Sequence, residues 1–382
     1  MTTSALSKSN KESILKALLS TGALTKADIA RETRLSVATA SRLAETLLED
    51  GFLLDAGEST DTGGRPSRLL RFNHRVAVTL TLDVRGPATD IALVDLGGEV
   101  CSLETVPGSP DPQARIQQTL SLAARGLGLA QQRGLRCVAV GVSVPGPVDS
   151  DGTVAFAPAL SWRRVSLGSM LAQRLSLPVM VDNDANLLAL GEFRRGRASG
   201  VASLIAVAVY EGVGLGIIEG GRIWRGGHGA AGQLGRMLYD ISALRSDFTG
   251  FGSLETRLGS VGIARRAHEA GIASGTDDAV LRQLMACHRL GDETATTLLN
   301  RVFDEFAMSL INLCAILDPE SVVLAGLFSD WSEVVVPALR ERLASHVLHQ
   351  PQLVAATPDL PAALVGASQA AFEHFGGITN LL

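Results

Sequence analysis

Residues 178–193 read PVMVDNDANLLALGEF. The apolar run Pro178–Val181 has the length of a short buried strand. Three polar residues, Asp182-Asn183-Asp184, follow directly, and Ala185–Phe193 continues as a helix. A strand that runs through a polar corner into a helix is the building unit of an α/β fold, in which ligands collect at the C-terminal ends of strands. Asp184 sits at that corner and carries two readings. Its carboxylate can accept a hydrogen bond or a proton from a substrate hydroxyl in a cleft between lobes, or it can simply cap the helix that follows.

The same alternation spreads outward in both directions. Val76–Val84 and Ile91–Asp95 read as an opening hairpin, and Arg136–Val144 as a buried strand ending in Pro145-Gly146-Pro147. Ser203–Val209 and Leu215–Ile218 form a pair across a Gly212–Gly216 turn. That glycine-rich turn can cradle a phosphate with backbone amides or be a plain hairpin connection. Long helices at Asp292–Leu317 and Glu333–His346 flank the strand Ser321–Ala325. This predicts a two-lobed α/β body over 76–382, with one lobe at about 76–184 plus a C-terminal helix at 363–376, and the other at 185–362.

Residues 1–75 follow a different pattern, that of a mainly α winged helix-turn-helix. A first helix is expected after Asn10 as cap, with Ile14/Leu18 and Leu15/Leu19 paired at i,i+4 and Thr21-Gly22 as its end. A second helix runs from about Lys26 to Thr33, with Thr25 and Asp28 as a short-armed capping box. A third starts at Ser36. Val37, Ala40, Leu43, Ala44, Leu47 and Leu48 form its apolar stripe, which leaves Ala38, Thr39, Ser41, Arg42 and Glu45 outward. Small and hydroxyl-bearing residues at a helix N-terminus allow close approach to a DNA major groove, where Ser36, Thr39, Ser41 and Arg42 can reach phosphates or base edges. Phe52-Leu53-Leu54 and Leu69–Phe72 read as two strands joined by a wing loop, Asp55–Arg68. In that wing Gly64, Arg65 and Arg68 suit insertion into a minor groove.

Composition agrees with this division. The chain has 382 residues, 46% hydrophobic and 19% charged, so it has ample material for folded cores. The first 75 residues carry 11 Lys/Arg against 9 Asp/Glu, and the remainder 23 against 30, so any nucleic-acid contact is expected in the first segment. The four cysteines are dispersed and form no metal or disulfide pattern. No apolar run approaches the ~20 residues of a membrane span, and a cytoplasmic protein is expected.

Taken together, these segments resemble the ROK family of repressors, open reading frames and kinases, and specifically its transcriptional regulators. The resemblance covers nearly the whole chain. It rests on Ser36–Gly51 with Gly63-Gly64-Arg65-Pro66, on Gly141–Asp149 (GVSVPGPVD), on Val181–Asn186 (VDNDAN), on Gly226–Gly235, and on Leu364–Ser368 (LVGAS). It implies a sugar-kinase-like body in which Asp184 occupies the position of the catalytic base, while Asn183 and Glu255 bind sugar hydroxyls. The family's E-x-G-H segment corresponds to Gln233-Leu234-Gly235-Arg236, and its three zinc-binding cysteines to Ser246, Phe248 and Ser253. Neither an arginine nor a phenyl ring ligates zinc, so no metal or other cofactor is expected. The phosphate loop D-x-G-G-T corresponds to Asp83-Val84-Arg85-Gly86-Pro87, with a bulky Arg85 and a Pro87 that lacks an amide donor. Val213 replaces a threonine hydroxyl in the second phosphate turn.

The resemblance therefore implies a DNA-binding repressor of carbohydrate-related genes. Its partners are double-stranded operator DNA and a small carbohydrate-like ligand, bound through Asn183, Asp184, Gln233, Arg236 and Glu255. A homodimer, possibly a tetramer, is expected, with no enzyme activity. Two alternatives stay open: a sugar kinase that kept a DNA-binding arm, and a regulator whose body no longer binds sugar. Arg236 can pair with Glu255 or Asp184 as an internal brace, or with an anionic ligand.

Overall fold

The computed structural model describes residues 3–59, 67–248 and 250–382. It opens with α1 (Thr3–Thr21), β1 (Leu24–Thr25), α2 (Lys26–Thr33), α3 (Val37–Glu49), β2 (Leu53–Ser59) and β3 (Ser67–Phe72). The Thr25–Asp28 capping box is present: the Thr25 hydroxyl accepts from the Asp28 amide at 3.1 Å, and the Asp28 carboxylate accepts from the Thr25 amide at 3.3 Å. Arg34 takes a left-handed conformation, φ 56°, and turns the chain into α3, whose N-cap is Ser36.

Three local expectations are corrected here. Helix α1 begins at Thr3, so Asn10 lies inside it, because nothing in the polar stretch before Asn10 stops a helix. Val37 is 61% exposed and does not join the buried stripe; as the first helical residue it projects before the packed turns begin. The wing loop is shorter than Asp55–Arg68, since β2 and β3 pair from Leu53↔Phe72 to Ser59↔Ser67 with a bulge between Asp55 and Glu58. The two-residue β1 adds a third strand, giving the order β1-β3-β2. Gly64 and Arg65, expected to contact DNA, lie outside the described residues.

The core of this module is not self-contained. Ile14, Leu18, Leu43, Leu47 and Phe72 share one buried cluster with Ala77 and Leu96 from the body and with Ile378 and Leu381 from the chain's last residues. The Thr379 hydroxyl donates to Glu12 at 2.8 Å, and Arg136 donates to the Leu381 carbonyl at 3.1 Å. Burying a side chain the size of Ile378 or Leu381 contributes about 1.5–3 kcal/mol.

The body begins with β4 (Val78–Val84), β5 (Ala88–Asp95), β6 (Val100–Pro107), α4 (Pro112–Gln132) and β7 (Cys137–Val144). The hairpin β8 (Val154–Ala157) and β9 (Trp162–Val165) follows, then α5 (Leu167–Leu175), β10 (Val179–Asn183) and α6 (Asp184–Arg195). The first sheet has the order β10-β7-β4-β5-β6. Strands β10, β7 and β4 are parallel, and β4, β5 and β6 antiparallel. Every residue of β4 is buried, which explains its continuous rather than alternating apolar pattern; the Thr79 hydroxyl within it donates to the Val94 carbonyl at 3.3 Å.

The second sheet is built from β11 (Ser203–Val209), β12 (Val213–Glu219), β13 (Arg222–Ile223), β14 (Ser321–Gly326) and β15 (Gln352–Ala355), in the order β13-β12-β11-β14-β15. Around it lie α7 (Glu255–Leu258), α8 (Ser260–Glu269), α9 (Asp277–Arg289), α10 (Glu293–Leu317), α11 (Leu327–Asp330) and α12 (Ser332–Leu343). Helix α13 (Ala362–His374) then returns to the first sheet. Helices α6 and α13 cross at glycines: Gly191 lies against the Ala362 carbonyl and Gly366 against the Leu187 carbonyl, with no room for a Cβ at either position. Among the described residues, no helix is long and apolar enough to cross a membrane.

Candidate functional site: a carboxylate-floored cleft and an exposed recognition helix

The C-terminal ends of β4, β7 and β10 and the β11–β12 hairpin border one cavity of about 330 Å³. All five residues expected to meet a ligand, Asn183, Asp184, Gln233, Arg236 and Glu255, line it. The cap of α6 is Asn183 rather than Asp184: its side-chain oxygen accepts from the amides of Ala185 at 3.0 Å and Asn186 at 3.3 Å. Its amide group donates to the Gly146 carbonyl and to Asp184 Oδ1, both at 3.0 Å. An asparagine side chain has two donor and two acceptor positions. All four are engaged within the protein, and the group's work is to hold Asp184.

Asp184 is the first residue of α6, half-buried on the cleft floor, and accepts from the Ala185 amide at 2.8 Å. Burial first, and then the nearby charge of Asp83, push its carboxyl up to about 7. Asp83 itself accepts from the Ser143 hydroxyl at 2.6 Å and lies 3.2 Å from Arg85 Nε, and burial raises its carboxyl too. Arg85 also pairs with Asp90. The neighbouring loop is held from behind by the buried Arg115, which donates to the carbonyls of Arg85 and Ala88.

Glu255 is fixed by backbone. Its two oxygens accept from the amides of Val213 and Gly252, each at 2.9 Å. Burial raises its carboxyl despite those bonds and the attraction of Arg236. Gln233 and Arg236 stand on one short turn, where the Arg236 amide donates to the Gln233 carbonyl at 3.0 Å. Arg236 forms no ion pair with a carboxylate of the described residues.

The glycine-rich segment Gly212–Gly216 is not a turn. The chain reverses at Tyr210–Gly212, and Gly214 and Gly216 lie inside β12 against α6, where a Cβ at 216 would come within 2.7 Å of the Ala185 carbonyl carbon. These glycines let β12 pack closely against α6. The positions that match zinc ligands do not fit the metal either. Arg236 and Phe248 offer no lone pair of the needed kind, and the Ser253 hydroxyl is buried without a hydrogen-bond partner. The cleft also recruits residues that the sequence pattern does not mark, namely Phe156 from the β8–β9 hairpin, Tyr210, Glu211, Phe251 and Asp330. The Phe156 ring is backed by the Arg163 guanidinium at 4.3 Å.

In the N-terminal module, α3 presents Ala38 and Arg42 to solvent, with Thr39 and Ser41 half-buried beside them. The Ser36 and Thr39 hydroxyls are 2.8 Å apart, and Ser36 accepts from the Thr39 amide at 3.2 Å. Arg68 is tied to Asp55 across the wing at 2.6 Å. Exposed Val37 joins this face.

Comparison with known proteins gives these two regions a context. Residues 9–53 match the winged helix-turn-helix DNA-binding model, and residues 79–372 match the ROK family model. The chain is 27% identical over 348 residues to the xylose repressor of Caldicellulosiruptor bescii, covering 88% of this chain and 87% of that one. Its fold follows a ROK family transcriptional regulator, a homologue of the E. coli MLC protein, at 21% identity and TM-score 0.77, over 98% of this chain and 96% of that one. It is also similar to a ROK family glucokinase from Streptomyces griseus, solved with glucose and AMPPNP, at 27% identity and TM-score 0.67, over 78% of this chain and the whole of the other. A winged module joined to a two-sheet body whose cleft lies at strand ends, matched over 79–372, leaves one assignment: the chain belongs to the ROK family.

Proposed function

We propose that this chain is a sugar-responsive DNA-binding repressor whose cleft senses its ligand without chemistry on it. The observation that carries the reading is α3, a capped helix with small residues, hydroxyls and Arg42, which has no side-chain partner among the described residues, on its outer face, on a module that shares its core with the sensing body. A ligand that favours one arrangement of the body shifts the population of the arrangement able to bind DNA. Two copies, reading two half-sites, supply the affinity that one module lacks, and the protein works in the cytoplasm as a homodimer or a tetramer built from it.

The sensing rather than catalytic role is supported by the first-sheet loop. Arg85 is committed to Asp83 and Asp90, and Pro87 offers no amide, so the loop has little to offer a transferring phosphate. Asp184 favours the kinase alternative, because a carboxyl raised to about 7 in a cleft suits a general base. Coupled detection of sugar-dependent ADP release tests that alternative, with no release expected.

The DNA contact is tested with operator fragments recovered by selection from random DNA. Arg42→Ala should weaken binding by about ten- to a hundredfold, the range of one lost base contact, with an unchanged circular dichroism spectrum. Wild-type affinity in that variant refutes the placement of α3 in the groove.

A further inference from the structure

Arg236 differs from the other arginine that lines the cleft. Arg85 is neutralised by Asp83 and Asp90. Arg236 is exposed and has no hydrogen bond or ion pair to a described residue through its side chain. The carboxylate whose charge it is seen to influence, Glu255, is oriented by the amides of Val213 and Gly252, one on each oxygen, and makes no direct bond to the guanidinium. A guanidinium with five donors in a planar fork, lining a cavity and making no direct ion pair to a described carboxylate, is suited to receive an oxyanion.

Its position is built rather than incidental. The turn that carries it is closed by the Arg236-to-Gln233 bond at 3.0 Å and the Met237-to-Leu234 bond at 2.9 Å. The Leu254 amide donates to the Met237 carbonyl at 3.0 Å, and Gly252 packs so closely that a Cβ there would sit 2.7 Å from the Arg236 Cα. The backbone under the guanidinium is therefore fixed before any ligand arrives. Gln233, on the same turn and also facing the cleft, makes no side-chain hydrogen bond to a described residue and can donate to or accept from a hydroxyl. At the floor, Asp184 can accept from a second hydroxyl.

We infer that the cleft takes a sugar carrying an oxyanion, with Arg236 gripping that group, Gln233 beside it and Asp184 holding hydroxyls at the other end. This rests on the sensor reading and specifies its ligand class. Besides the guanidiniums of Arg85, already paired, and Arg236, the charged groups lining the cavity are the carboxyls Asp184, Glu211, Glu255, Asp278 and Asp330, so an anion entering it is directed to Arg236. The shared chemistry is a charged oxygen group on a polyol, whether carboxylate or phosphate.

Titration calorimetry on the full chain tests it with three kinds of probe: neutral D-glucose and D-xylose, the carboxylates D-glucuronate and D-xylonate, and D-glucose 6-phosphate. At least one anionic probe should bind about tenfold or more tighter than its neutral counterpart, as a charge-assisted bond predicts. Preference for the carboxylates or for the phosphate identifies which oxyanion is meant. Arg236→Gln should abolish the preference, Arg236→Lys should restore part of it, and raised salt should reduce it in the wild type. Neutral sugars binding as tightly as the anionic ones, or an anionic preference that survives Arg236→Gln, overturns the inference and leaves the sensor reading standing. Heat from none of the probes overturns both.

Discussion

The crossing of α6 and α13 supports a prediction that one chemical change will have opposite signs at two sites. Gly366, in α13, faces α6 so closely that an added Cβ would stand 2.7 Å from the Leu187 carbonyl carbon and 3.0 Å from the Gly191 nitrogen, and closer still to the Leu187 carbonyl oxygen. All three are backbone atoms, so no rotamer change relieves the clash and the helices themselves must separate. Overpacking a core usually costs about 1–3 kcal/mol, and a rigid backbone places Gly366→Ala at the upper end, about 3 kcal/mol or more. Gly128, in α4, has nothing within 4 Å of the same added atom. There Gly128→Ala only reduces the freedom of the unfolded chain and raises helix propensity, a gain of about 0.5–1 kcal/mol. Urea denaturation followed by circular dichroism compares the two against wild type, with unchanged slopes expected. Because Leu187 lies one turn from Asp184, the first variant should also lose ligand binding. If Gly366→Ala unfolds within 0.5 kcal/mol of wild type, or the two variants shift together, the account of this helix pair is refuted.

Two further expectations concern other parts of the chain. Thr25→Ala removes the hydroxyl that accepts from the Asp28 amide and should cost about 1 kcal/mol in the same denaturation measurement. The Asp184 carboxyl stands above its unfolded value of 3.8, at about 7, so the folded state holds its proton longer; that stability is complete below pH 3.8 and is lost as pH rises through 7. Asp184→Asn should therefore gain on wild type in thermal melts between pH 5 and pH 8, whereas a difference that does not change with pH contradicts the raised value.

Much of the fold was legible wherever its cause is local. The Thr25–Asp28 box, the Ser36 cap and the buried face of α3 are set by residues a turn apart, and they were read with little error. Where two readings were locally equivalent, the tertiary setting decided. Gly214 and Gly216 suit a turn as well as a strand, and only the approach of α6 makes them strand residues. Asn183 and Asp184 are both good caps, and the Gly146 carbonyl, from the loop that follows β7, turns the Asn183 amide to the capping task. The five candidate ligand residues come from the family resemblance, and the fold brings all five to one cavity. Phe156, Tyr210 and Asp330 reach the same cavity from segments far apart in sequence, and their meeting depends on sheet order that no single segment encodes. Least visible was the chain's end: nothing in GGITNLL indicates that Ile378 and Leu381 complete the core of a module more than 300 residues earlier.

That last contact bears on how an operator is read. A DNA-binding head on a loose tether can swivel and accept half-sites at several separations. Here the head is seated on the body by a common core and pinned by the Thr379–Glu12 and Arg136–Leu381 bonds, so it has one orientation per state of the body. In an assembly of two such chains the permitted spacing between half-sites becomes a ruler fixed by the bodies. A small rotation in the cleft then acts as a change in the length of that ruler, so DNA can be released without any alteration of the surface that touches the bases.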